Sequence, residues 1–135
     1  MKSKPTIKSF EISEGEEKKV IGEVTFRQIT EGDFIALAEL QADRDVLFED
    51  NQFVGYRESR NRRASQRHIV YRTLASSTLQ WEDEKKLVFD SKDGMVQKVI
   101  TEIEFNTAWD MLPLEIADQI VGKMYEMNPT LLGNL

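Results

Sequence analysis

The sequence predicts an α+β, helix-dominated domain with a small N-terminal antiparallel β-sheet, a long central helix and a C-terminal amphipathic helix. Three observations lead there. Lys19–Ile29 alternates apolar and polar residues with the period of a half-buried strand. Tyr56–Trp81 contains neither Pro nor Gly, enough chain for about seven helical turns. Leu114–Asn128 repeats Ile116, Ala117, Ile120, Val121, Met124 and Met127 along one helix face.

At 135 residues the chain suits one domain, residues 1–135, with an N-terminal hairpin at about 5–29, a helical region at about 31–128 and a short apolar tail at 129–135. No apolar run approaches the roughly 20 residues of a membrane span. The N-terminal stretch lacks the apolar core of a signal peptide, so a cytoplasmic location is expected. There is no Cys, which excludes disulfides, thiolate nucleophiles and thiolate metal sites.

The net charge of −6 is unevenly spread. Residues 31–55 carry seven acidic side chains against Arg44, and residues 101–135 carry six against Lys123. Between them, residues 56–72 carry six Arg against Glu58. This acidic, basic, acidic order implies that the Arg segment is neutralised within the protein or its oligomer. A free nucleic-acid surface normally belongs to a domain of high pI; here the pI is about 4.9.

Taken in order, Thr6–Ile12 reads as a strand, Ser13-Glu14-Gly15 as a turn, and Lys19–Ile29 as the strand that pairs back. In that second strand Val20, Val24 and Phe26 face one way and Glu23, Thr25 and Arg27 the other. Thr30 is a fitting N-cap, with Glu31 and Asp33 in the first turn of a helix that reaches about Ala42. Asp43–Gly55 reads as a loop carrying packed aromatics. The long helix follows, its stripe running Ala64, His68, Tyr71, Ala75 and Thr78 or Leu79, widened by Val70 and Leu74. Asp93-Gly94 is a turn signal, so 87–103 reads as a second hairpin, with a helix from about Val96 through Trp109 the competing assignment. Asn106 can cap a short helix that Pro113 stops, and the last helix opens at Pro113 or Leu114.

The usual patterns of catalytic chemistry are sparse in this chain. His68 is the only histidine, and it lies on the stripe expected to be buried. Neither a GxSxG elbow nor a phosphate-cradling glycine motif is present. One His without Cys makes a zinc site unusual. The carboxylate runs, such as Glu82-Asp83-Glu84, read as solvated faces. No enzyme activity, catalytic residue, metal or cofactor is expected. Arg57, Arg60, Arg62, Arg63 and Arg67 are the best argument for nucleic acid, because Arg binds phosphate and stacks on bases. Their acidic neighbours can take the same side chains.

The run W-D-M-L-P-L-E-I-A-D-Q-I-V-G-K-M-Y-E-M-N, Trp109 to Asn128, resembles the terminal helix of tail assembly chaperones of long-tailed bacteriophages and related prophages. A Leu-Pro step there leads into a helix of branched apolar residues that ends near Asn. The run V-T-F-R-Q-I-T-E-G-D-F, Val24 to Phe34, is similar to the N-terminal strand, Arg, apolar, Thr, helix opening of that family. Together the two runs cover under a third of the chain. The resemblance implies a non-enzymatic protein that coats the tape-measure protein and helps recruit tail-tube subunits, in the host cytoplasm if phage-encoded.

On that reading the candidate partner-binding residues are Arg60, Arg63 and Arg67 on the basic helix, Ile116, Ile120 and Met124 on the last helix, and Leu131, Leu132 and Leu135 in the tail. Apolar stripes suit helix-in-groove recognition, and Met adapts to varied partners. Self-association is compatible with this role; no membrane partner is expected. The alternatives are a nucleic-acid-binding or regulatory protein using the Arg-rich helix 57–72, or another phage morphogenesis subunit such as a connector or tail-completion protein.

Overall fold

The computed structural model describes residues 6–48, 54–90 and 100–132, with side chains described except at 41–61. It is a mixed α+β structure. Strands β1 (Ile7–Glu14) and β2 (Lys19–Arg27) are followed by helices α1 (Glu31–Phe48) and α2 (Val54–Thr73). Strands β3 (Leu74–Gln80) and β4 (Lys86–Phe89) come next, then helices α3 (Glu102–Trp109) and α4 (Leu114–Met127) and a 3-10 turn at Pro129–Leu131. The sheet is antiparallel in the order β1-β2-β3-β4, so the helical pair α1–α2 is an insertion between two neighbouring strands.

The expected hairpin forms, with Phe10 opposite Val24 and Lys8 opposite Phe26. Its turn lies at residues 15–18, slightly later than Ser13-Glu14-Gly15. A bulge between Ile12 and Ser13 in the pairing leaves Ile21 as an extra residue on β2. That residue shifts the alternation: Ile21 is buried and Val20 is exposed, contrary to the inward position expected for Val20. Gly22 sits beside the bulge at φ +148, and a Cβ there would lie 2.5 Å from the Thr78 carbonyl oxygen. Only glycine permits that close approach of β2 to β3.

The long helix expected from Tyr56 to Trp81 is instead a helix followed at once by a strand. α2 ends at Thr73, and Leu74–Gln80 pairs with β2 on one side and β4 on the other. Neither Gly nor Pro marks the change. The cause is the composition of L-A-S-S-T-L-Q, whose Ser and Thr offer the backbone alternative hydrogen bonds and disfavour helix interiors. Ser77 Oγ donates to the Leu87 carbonyl of β4, and Thr78 Oγ1 accepts from Glu23 N–H of β2. Leu79 is buried while Thr78 and Gln80 face solvent, the period of a strand.

Other expectations also shift. α1 continues to Phe48, so most of the expected loop 43–55 is helical, and α2 begins at Val54. Residues 91–99, with the Asp93-Gly94 turn, lie outside the described residues. The second hairpin is β3–β4, closed at 81–85, because β4 pairs with β3 and residues 102–109 are helix. Thr101, not Asn106, caps α3: its Oγ1 accepts from Glu104 N–H and donates to the Glu104 carboxylate.

The core lies between one sheet face and the helices. Phe10, Ile12, Val24, Phe26, Leu79 and Leu87 from the sheet meet Phe105 of α3 and Ile116, Ile120 and Met124 of α4. Phe105 is flanked by Tyr71 of α2 at 5.3 Å and Trp109 at 5.7 Å between ring centroids, which seats α3 on α2. The opposite sheet face, with Ser9, Glu11, Glu23 and Thr78, is exposed. Among the described residues no helix is long and apolar enough to cross a membrane.

Two alanine substitutions test this account in opposite directions. Gly22→Ala should lower the unfolding free energy by about 2–3 kcal/mol, because β2 must move off β3. Gly122→Ala, in α4 with open space around it, should raise stability by about 1 kcal/mol. Urea titrations of both variants read the two signs.

Candidate functional site

The end of β2 carries an Arg that the alternation places on the solvent face. Arg27 is instead 1 % exposed, and Asp33, in the first turn of α1, is 0 % exposed. Arg27 Nη1 and Nη2 donate to Asp33 Oδ2 and Oδ1 at 2.8 and 3.0 Å, a two-pronged pair. Arg72, one residue before the end of α2, adds Nε to Asp33 Oδ1 at 2.8 Å. Thr30 donates both its backbone N–H and its hydroxyl to Asp33 Oδ2. A single carboxylate thus accepts five hydrogen bonds from three segments.

Arg27 also closes the end of α2. Its Nη2 donates to the Arg72 carbonyl at 2.7 Å, satisfying an acceptor that the end of α2 leaves open, and its Nη1 donates to the Gln28 carbonyl. Asp33 in the first turn of α1 lies where the helix dipole favours a negative charge. Burial alone pushes the Asp33 carboxyl up, but hydrogen bonds from Arg27, Thr30 and Arg72 and the Arg27 charge hold it well below the usual carboxylate range.

Asn128, at the end of α4, extends the junction. Its Oδ1 accepts from Ile29 N–H at 2.9 Å and its Nδ2 donates to the Arg27 carbonyl at 3.4 Å. Asn128 is 3 % exposed. The β2–α1 linker is thereby tied to the C-terminal segment about 100 residues away in sequence.

Several basic side chains of α2 meet acids on other elements. Arg63 bonds Asp118 of α4 at 3.0 Å, Arg67 bonds Asp110 after α3 at 2.8 Å, and His68 Nδ1 lies 3.3 Å from Glu102 of α3. Part of the acidic, basic, acidic charge order is thus matched between helices of the chain. Arg62 is exposed; the side chains of Arg57 and Arg60 lie outside the described residues. A nucleic-acid surface that used Arg63 and Arg67 would have to break their pairs.

The candidate apolar contacts separate into two groups. Ile116, Ile120, Met124 and Leu131 are completely buried, so they are core residues and not an outward surface. The reason is that the stripe on α4 is the face that covers β1 and β2. Leu132 is 64 % exposed, and Leu135 lies outside the described residues. The exposed apolar side chains of this region are Ile103, Met111, Leu114 and Leu132, three of which the helix periodicity did not single out.

Arg27, Asp33 and Asn128 escaped the sequence reading as a set. Thr30-x-x-Asp33 has capping-box spacing, which hints that the Asp33 carboxylate turns back toward Thr30. Nothing local marks the partnership with Arg72 or Asn128. A shallow depression of about 450 Å³ is lined by Glu14, Gly15, Glu16, Glu17, Lys19 and Glu115, an acidic surface without a converging donor set. No family model matches the chain, and neither the curated proteins nor the solved structures compared with it gave a match.

The Asp33 junction has a signed pH dependence. A carboxylate held below its unfolded value contributes stability that is fully present above about pH 4 and is lost as pH falls further. Asp33→Asn should therefore reduce stability at pH 7 and flatten the acid limb of a pH–stability profile measured by denaturant unfolding. Arg63→Ala and Arg67→Ala, which break exposed pairs, should each cost less than about 1 kcal/mol at pH 7.

Proposed function

We propose that this chain is a non-enzymatic tail assembly chaperone of the kind found in long-tailed bacteriophages, binding the tape-measure protein, the tail-tube protein or both. What carries the reading is where the two family-like runs lie. Val24–Phe34 contributes Arg27, Ile29, Thr30 and Asp33, and Trp109–Asn128 contributes Asn128, which bonds to two of them. Two stretches distant in sequence thus belong to one hydrogen-bonded unit, as parts of one inherited pattern should.

The contact surface follows from burial. With Ile116, Ile120 and Met124 in the core, the partner meets Ile103, Met111, Leu114 and Leu132. Large apolar side chains left in water at the C-terminal helices are a common mark of a protein-binding region. The basic helix α2 serves to assemble the domain, since Arg63, Arg67 and Arg72 pair with Asp118, Asp110 and Asp33.

Co-expression with the tape-measure and tube proteins of the same genome, followed by affinity capture, tests the proposal. The chaperone reading requires at least one of them to be retained at micromolar concentration. Leu114→Glu and Ile103→Glu should weaken that retention by about tenfold or more, because each places a charge in an apolar contact. Both variants should keep the thermal unfolding midpoint of the parent. Retention of neither protein defeats the reading, and retention of nucleic acid in their place restores the Arg-helix alternative.

A further inference from the structure

Strand β1 is the long open edge of the sheet. In an antiparallel pair, the backbone groups of alternate residues point to the partner strand and those between them point away. Ser13 shows which set points away here: its N–H and C=O bond the side-chain amide of Gln119 on α4, at 3.1 and 2.8 Å. Gln119 takes the place that one residue of a neighbouring strand would occupy. At the other end, the Thr6 carbonyl bonds Gln28 N–H of the β2 side. Ile7, Ser9 and Glu11 therefore share the outward orientation of Ser13, and among the described residues nothing bonds their outward backbone groups.

Natural proteins commonly blunt such an edge, because unpaired N–H and C=O groups attract another strand. Among the described residues, the blunting lies at the Ser13 end alone. The row of side chains on the helix side of the edge is Lys8 and Phe10, joined by Lys123 from α4. The two ammonium groups lie 5.2 and 5.6 Å from the Phe10 ring centre. Glu126 meets Lys123 at 3.5 Å and offsets part of this charge. On the solvent side the row is Ile7, Ser9 and Glu11, with Ile7 exposed.

We infer that this edge accepts an added strand from a partner protein: an extended segment with acidic side chains at alternate positions. Its backbone pairs with Ile7, Ser9 and Glu11. Its carboxylates lie beside Lys8 and Lys123, and its other side chains lie over Ile7 and Ser9. Backbone pairing provides the affinity and the lysines select the sequence, as in other cases of strand addition.

A second copy of the chain fits less well. Antiparallel self-pairing centred on Ser9 or on Lys8 brings the lysines of both copies into one row. Pairing centred on Glu11 opposes two like charges and requires the Ser13 groups that Gln119 already holds. The inference does not rest on the chaperone reading, since it uses only the edge and its charges.

A short labelled peptide alternating Val and Glu, and the same peptide with Lys for Glu, are the probes, read by fluorescence anisotropy with the full chain. The Glu peptide should bind, the Lys peptide should not, and binding should weaken with salt. Ser9→Pro removes one edge N–H that β2 does not use, so it should abolish binding while circular dichroism and the melting midpoint hold. If Ser9→Pro disturbs folding, Lys8→Glu provides the second test: it should weaken the Glu peptide by about tenfold and admit the Lys peptide. Absence of binding at millimolar peptide, equal binding of the two peptides, or an unaltered affinity in Lys8→Glu overturns the proposal. So does a dimer in sedimentation that Ser9→Pro dissolves, which would assign the edge to a second copy.

Discussion

Asp33 is the point on which the rest of the structure depends. The helical pair α1–α2 leaves the sheet after β2 and returns to it at β3, so the exit and the return must be held side by side. Arg27 stands at the exit and Arg72 at the return, and both close on the Asp33 carboxylate. A buried carboxylate and a buried guanidinium are costly to desolvate, and they are tolerable only because each finds several partners. Arg27 uses four of the five N–H donors of its guanidinium, leaving Nε without a partner among the described residues.

The same junction sets where the other parts lie. With the base of the insertion fixed, α2 is directed so that Arg63, Arg67 and His68 meet Asp118, Asp110 and Glu102 on the C-terminal helices. Asn128 ties the end of α4 to the β2–α1 linker, and Gln119 ties its middle to β1. α4 is therefore pinned at two places against the sheet, and its apolar stripe turns inward. That orientation leaves Leu114 and Leu132 outside and, among the described residues, the β1 edge open from Ile7 to Glu11. Both proposed contact regions follow from how α4 is held.

How much of this was readable depends on whether the signal was local. The β1–β2 hairpin and α4 were legible because their periodicities are properties of consecutive residues, and Pro113 marks the start of α4. The switch from α2 to β3 was not, because no breaker stands between Thr73 and Leu74; the Ser and Thr of Leu74–Gln80 weaken the helix there, and sheet pairing to Phe26 and Ser77's bond to Leu87 complete the change. The Thr101-x-x-Glu104 cap was visible, but it competed with an alternating pattern across Met95–Ile103. Val20 was misplaced by a bulge, a feature that a strict period of two cannot express. Arg27 was misplaced because its burial depends on residues from two later helices. The charge order, by contrast, pointed to acidic partners for the basic helix within the protein or its oligomer; Arg63, Arg67 and Arg72 find theirs within the chain, on residues the order alone does not name.

A double-mutant cycle on Arg27 and Asp33, read by urea unfolding at pH 7, tests the central claim most directly. Arg27→Met and Asp33→Ala should each cost about 3–5 kcal/mol, because each leaves the other's charge buried without its main partner. The double variant should cost clearly less than the sum, with a coupling of about 2 kcal/mol or more. Strictly additive losses, or single losses under about 1 kcal/mol, would show that the fold does not depend on this pair.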